Sequence, residues 1–210
     1  MEILKLKPPR EEGEFYKWLK IKSEEAWEKV EIDKGIYGFQ IQKNTKWLKG
    51  LSDGEIEEYE SVLRVKFPRS YKLFLRNMNG TDKLGVNVYA QDGNSYSFNP
   101  MYYSYPRDLE IVKDCINWVY QSYKITFEFI LHNSIANILP IVGHRFLVLN
   151  DCSFNPILSI YGNDCVFWDT SLRNFLLNDI FKLSNPPILF TSNRVKFWLD
   201  NGDFTALVDI

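Results

Sequence analysis

The stretch Leu51–Gly80 constrains the fold of this chain more than any other. Ser52 can cap a helix, and Glu55, three residues later, can return a hydrogen bond to the cap's own backbone. Leu51 before the cap and Ile56 inside it are placed to close as a hydrophobic staple. Ile56, Tyr59 and Leu63 follow at i, i+3 and i+7, so the spacing predicts an amphipathic helix. Glu55, Glu57, Glu58 and Glu60 take most of its remaining faces. Phe67-Pro68 restarts the chain, because proline suits the first helical position. Tyr71, Phe74, Leu75 and Met78 form a second apolar stripe. Asn79-Gly80 ends it with residues that tolerate a left-handed backbone. Two short helices joined at a proline are the expectation.

Outside this pair, Phe15, Trp18, Leu19, Ala26, Trp27 and Val30 predict a helix over 14–31. Ile36–Gln42, Val86–Ala90 and Tyr96–Phe98 read as strands, the last two separated by the turn-rich Gln91-Asp92-Gly93-Asn94. Asn99–Pro106 reads as a loop. Asp108 is placed to cap a helix reaching Tyr123. Ile138–Val142, Arg145–Asn150, Ile157–Tyr161 and Cys165–Trp168 are apolar runs too close together for crossover helices, so neighbours should be antiparallel. Thr170–Phe181 returns to helix. Pro186-Pro187 marks a boundary. Val195–Leu199 and Phe204–Val208 flank Asp200-Asn201-Gly202-Asp203, a hairpin signal. The fold class is therefore α+β: a single domain with a mainly antiparallel sheet and helices packed against it. An N-terminal helical extension (1–46), a central domain (47–181) and a C-terminal β-hairpin extension (182–210) are the expected parts.

The chain resembles the SUKH superfamily, whose bacterial members are mostly immunity-protein-like and whose eukaryotic relatives resemble regulators of cell-wall synthesis. The resemblance rests on Trp47-Leu48-Lys49-Gly50-Leu51-Ser52, on Phe67-Pro68 with Tyr71, Phe74 and Leu75, and on Asn79-Gly80. It continues through Ile138-Leu139-Pro140-Ile141, His144-Arg145-Phe146-Leu147 and Pro156–Gly162, and closes with Ser171-Leu172 and Phe175-Leu176-Leu177. It implies a binding domain with no shared catalytic residues.

Charge and cysteine usage narrow the function further. With 25 basic and 27 acidic residues the net charge is −2, which offers no broad basic field for nucleic acid. The odd set Cys115, Cys152 and Cys165 shows no paired spacing, and Met1–Arg10 lacks the apolar run of a secretory signal. Phe129–Gly143 is interrupted by His132, Asn133, Asn137 and Pro140, so it is no membrane span. A cytoplasmic protein with reduced thiols is the expectation.

No phosphate-cradling glycine loop, GxSxG or HExxH is present. A zinc site from His144, Cys152 and Cys165 matches no compact motif, and buried structural cysteines are the stronger reading. A Cys152–His144 pair, oriented by Asp151 or Asn150, is the hydrolase alternative. The reading adopted is no enzyme, no cofactor and no metal. The partner is a protein, a toxin domain, occluded by binding; a regulatory interaction scaffold is the alternative. Candidate contacts are Tyr102, Tyr103 and Tyr105, since tyrosine gives rigid contact area with a hydroxyl. The same rings could instead tuck under their loop and seal the sheet. Glu57 and Glu58 are candidates for steering a basic toxin, although a solvated helix face near a helix N-terminus is the stronger reading of the acidic run.

Overall fold

The computed structural model describes residues 6–89, 95–149, 155–181, 195 and 197–200. The class is α+β, as expected, and every strand pair among them is antiparallel. The strands are distributed over three sheets instead of one. The chain divides into two compact units, one of Met1–Arg64 with Arg69–Leu109, the other of Val65–Pro68 with Glu110–Ile210.

The first unit opens with α1 (Glu12–Trp27), whose cap is Glu11: its carboxylate accepts from the Gly13 and Glu14 N–H groups at 2.9 and 2.6 Å. β1 (Gly38–Gln40), β4 (Gly85–Val88) and β5 (Tyr96–Asn99) form a three-stranded sheet in the order β1-β4-β5. The helix pair is present as α2 (Asp53–Leu63) and α3 (Arg69–Asn77). Ser52 and Glu55 make the reciprocal capping box, with the Ser52 N–H donating to Glu55 Oε2 at 2.7 Å. Arg64, at φ 57°, ends α2 in the left-handed region without a glycine.

Three details depart from the sequence reading. Met78 is not the end of a helical stripe: β3 (Met78–Thr81) follows α3 directly and pairs with β2 (Trp47–Lys49). Asn79 and Gly80 therefore lie in a strand, although Gly80 keeps its left-handed φ of 71°. Glu60 is not solvated. It is buried and its carboxylate lies 2.9 Å from Lys72 Nζ, tying α2 to α3. Asp108 does not cap the next helix. Its carboxylate turns back to accept from the Ser104 N–H and hydroxyl at 2.7 and 3.0 Å.

Two glycines are required by close approach. A Cβ on Gly50 would collide with the Arg76 carbonyl at the end of α3, beside the Leu51 N–H···O=C Leu75 bond of 2.8 Å. A Cβ on Gly80 would lie 2.7 Å from Ser104 Cβ and 2.8 Å from its N. Next to it, the Asn79 amide donates to the Tyr105 carbonyl at 2.7 Å and accepts from the Tyr105 N–H at 2.9 Å. β3 is thus clamped against the segment 102–105.

The second unit holds α4 (Leu109–Ser122, of which Leu109 belongs to the first unit), α5 (Phe127–His132) and a four-stranded meander. Its strands are β6 (Asn137–Val142), β7 (Arg145–Leu149), β8 (Ile157–Tyr161) and β9 (Asp164–Asp169), in sequential order. α6 (Leu172–Phe181) follows, and Asn178 Nδ2 donates to Asp169 Oδ2 at 2.8 Å, fixing the helix to the end of β9. The short α5 is an element the sequence pattern does not signal; Thr126 caps it. One core of this unit gathers Ile138, Phe146, Val148, Leu158, Ile160 and Cys165 with Val119 and Tyr120 of α4.

The expected C-terminal hairpin has its turn and second strand outside the described residues. Its first strand is not extended. Phe197 has φ 72°, the Leu199 N–H reaches the Val195 carbonyl at 3.1 Å, and Trp198–Asp200 forms a 3-10 helix. Trp198 is fully buried in the same core, its indole N–H donating to the Ala136 carbonyl at 2.8 Å. Burying the largest side chain and pairing its one donor outweighs the alternating pattern that suggested a strand. The turn Gln91–Asn94, Ala90, Asn150, Asp151, Cys152 and Pro186-Pro187 also lie outside the described residues.

Candidate functional site

The tyrosine segment sits in the first unit, and its two outer rings face inward. Tyr102 is 1% exposed and its ring centroid lies 4.7 Å from that of Trp47. Trp47 in turn contacts Trp27 at 5.1 Å and Phe74 at 5.7 Å. Tyr105 stacks on Tyr59 at 4.5 Å. Only Tyr103, half-buried, retains a partly accessible ring. Tyr102 and Tyr105 are therefore corrected from contact candidates to core: the rings tuck under their loop. The β3 clamp at Asn79 and Gly80 explains why, since it pulls the 102–105 backbone onto the unit.

Glu57 and Glu58 are exposed on α2. Burial and a hydrogen bond to the Glu58 carboxylate push the Tyr105 phenol above its ordinary range, so Glu58 is engaged within its own unit. The rest of the acidic run is also used locally: Asp53 lies 2.7 Å from Arg76 Nε, Glu55 completes the capping box and Glu60 holds Lys72. Glu57 is exposed on the same helix.

The proposed nucleophilic and metal-ligating residues are placed as follows. Cys165 is buried, and burial, with Asp164 nearby, pushes its thiol up to about 12, so it stays protonated and packs as a small apolar group. Cys115 is half-buried on α4. His144 is exposed in the β6–β7 turn; desolvation of its ring and the Arg145 charge hold it below the usual imidazole range. Among the described residues no three His, Cys, Asp or Glu side chains gather as a metal site.

Rings do come to the surface in the second unit, where the sequence singled out none. Tyr161 is 70% exposed at the end of β8, with Trp118 of α4 at 5.4 Å and His144 at 6.1 Å, both edge-on. Val166 and Trp168 on β9 are about half exposed. Arg145 lies over the Trp168 ring, its guanidinium carbon 3.5 Å from the centroid. The sequence signal for this surface was weak but present: Val166 and Trp168 alternate with Cys165 and Phe167, as a strand with one open face requires.

The model of the SUKH_6 family, described as SMI1-KNR4 cell-wall, matches residues 53–201. That span is more than two thirds of the chain and includes both the helix pair and Trp198. The protein belongs to this family. No curated protein matches the chain. No helix among the described residues is long and apolar enough to cross a membrane.

Proposed function

We propose that this protein is a non-enzymatic protein-binding domain, a cytoplasmic immunity protein that neutralises a bacterial toxin by occluding it. Family membership supports the class. The observation that carries the binding reading is that unit 2 leaves three large rings partly in water: Trp118 and Tyr161, which meet edge-on, and Trp168 under Arg145. Large rings left in water are the residue type in which contact surfaces are enriched. Tyrosine, tryptophan and arginine are also the residues in which binding energy concentrates. Occlusion needs no turnover, so the buried, protonated Cys165 takes no chemical part in it. A second reading, a regulatory interaction domain, is favoured by the cell-wall description of the family itself.

The test is co-expression with the product of the adjacent reading frame in a sensitive host. Wild type and a Cys152→Ala/His144→Ala variant should both protect and should both co-purify with the toxin. Failure of wild type to bind or protect overturns the immunity reading. Loss of protection in a folded double variant that still binds would replace it with hydrolysis.

A further inference from the structure

Arg145 opens β7 and lies opposite Ser159 of β8, which lies opposite Val166 of β9. Directly opposed residues share a face of the sheet, so the three form a row across three strands. Arg145 Nη1 donates to Ser159 Oγ at 2.7 Å, and the guanidinium plane is held over Trp168. The cation is thus fixed from two sides. Among the described residues no carboxylate lies within ion-pair distance of it; Asp179 of α6 acts on it from farther away. A guanidinium has five N–H donors, and Ser159 takes one. The apolar surroundings are open: Trp168 is 48% and Val166 47% exposed.

We propose that this face of β7–β9 docks an acidic protein segment, with one Asp or Glu carboxylate on Arg145 and an adjacent apolar side chain on Trp168 and Val166. The proposal rests on the protein-binding reading and names the chemistry of the partner. A planar donor fork matches a carboxylate in two parallel bonds, and stacking on an indole has already frozen the long side chain. The ordering cost of binding is correspondingly lower. A polyanion is a poorer match. One fixed cation stands here beside a histidine held toward its neutral form, in a protein of net charge −2. The stack and the serine bond hold Arg145 in place instead of leaving it to solvent.

The experiment is an NMR titration of the isotopically labelled full chain. The probes are the capped pentapeptide Leu-Glu-Leu-Glu-Leu, its Leu-Gln-Leu-Gln-Leu analogue and a hexathymidine strand. The Glu peptide should shift the Trp168 indole N–H and the Ser159 and Val166 amides saturably, with the Gln peptide about fivefold weaker. Arg145→Gln should bind both peptides equally. Val166→Glu, at an exposed position, should offer Arg145 a carboxylate of its own and displace the peptide, which keeps the test valid if the arginine variant does not fold. Equal response to Glu and Gln peptides, shifts that leave Trp168 untouched, or a stronger response to hexathymidine overturns the proposal. The toxin reading is tested separately. Protection retained by a Val166→Glu variant that no longer responds to peptide removes this docking site from toxin capture and leaves immunity standing. Failure of wild type to protect while Trp168 still answers the Glu peptide removes immunity and leaves the site.

Discussion

Two aromatic clusters in this protein are built from the same residue types and do opposite things. In unit 1, Trp27, Trp47, Phe74 and Tyr102 contact one another and are buried; Tyr105 is buried against Tyr59. In unit 2, Trp118 and Tyr161 meet edge-on, Tyr161 also meets His144, Arg145 lies over Trp168, and all three rings are partly exposed. The difference lies in what holds the backbone beneath them. The buried set has polar anchors on its inner side: the Trp47 indole donates to Ser23 Oγ at 2.7 Å, and the Asn79 amide clamps Tyr105. The exposed rings lie on β8, β9 and α4 at positions that their unit leaves partly uncovered. Ring content alone does not separate core from contact surface; strand register and local backbone clamps do.

The comparison can be broken most forcefully in the buried cluster. Trp47→Ala should cost about 3–5 kcal/mol, because it empties a ring site with aromatic neighbours on several sides. Denaturant unfolding followed by circular dichroism measures this. A midpoint within error of wild type would show that the cluster is not a core. Gly80→Ala should cost more than about 1 kcal/mol, since the new methyl meets Ser104 backbone at a left-handed φ. It should also loosen Tyr105, visible as faster amide exchange over 102–105.

A pH scan sharpens the same unit. Burial acts to raise the Asp108 carboxyl, but hydrogen bonds from Arg107 and from the Ser104 N–H and hydroxyl outweigh it and hold it below the usual carboxylate range. A pKa lowered by folding stabilises the native state above the unfolded value and is lost as pH falls through the folded one. Stability should therefore drop below about pH 4, and Asp108→Asn should flatten that part of the curve. Equal slopes in both proteins would remove Asp108 from the account. The smallest stability effect belongs to the exposed cluster: Tyr161→Ala should change unfolding free energy by no more than about 0.5 kcal/mol. A larger loss would mean that the open rings brace the fold instead.

The sequence made the helix pair legible because its signals are local. A capping box and an apolar stripe involve residues three or four apart, and both appear where they were expected. The strand pair β2–β3 was hidden, since Met78 continues a helical spacing while its pairing partner Lys49 lies far back in the chain. Trp198 departs from its pattern for the same reason: an alternating run predicts a strand, but the indole's position is decided by Ala136 and the α4 core. The surface at Trp168 and Tyr161 needed the register of three strands, which places Arg145 over a ring from another strand. Tyr102 and Tyr105 looked like contacts because three tyrosines on a loop are visible in sequence, whereas the Asn79 clamp that draws them inward is not.

The proposed function has partners meeting the open rings of unit 2 and not the tyrosine segment of unit 1. Hydroxyl-radical footprinting of the protein alone and in complex with the co-purified product of the adjacent reading frame tests it most directly. Labelling of Trp118, Tyr161 and Trp168 should fall on complex formation while labelling of Tyr103 stays unchanged. Protection at Tyr103 with Tyr161 and Trp168 still fully labelled would contradict it.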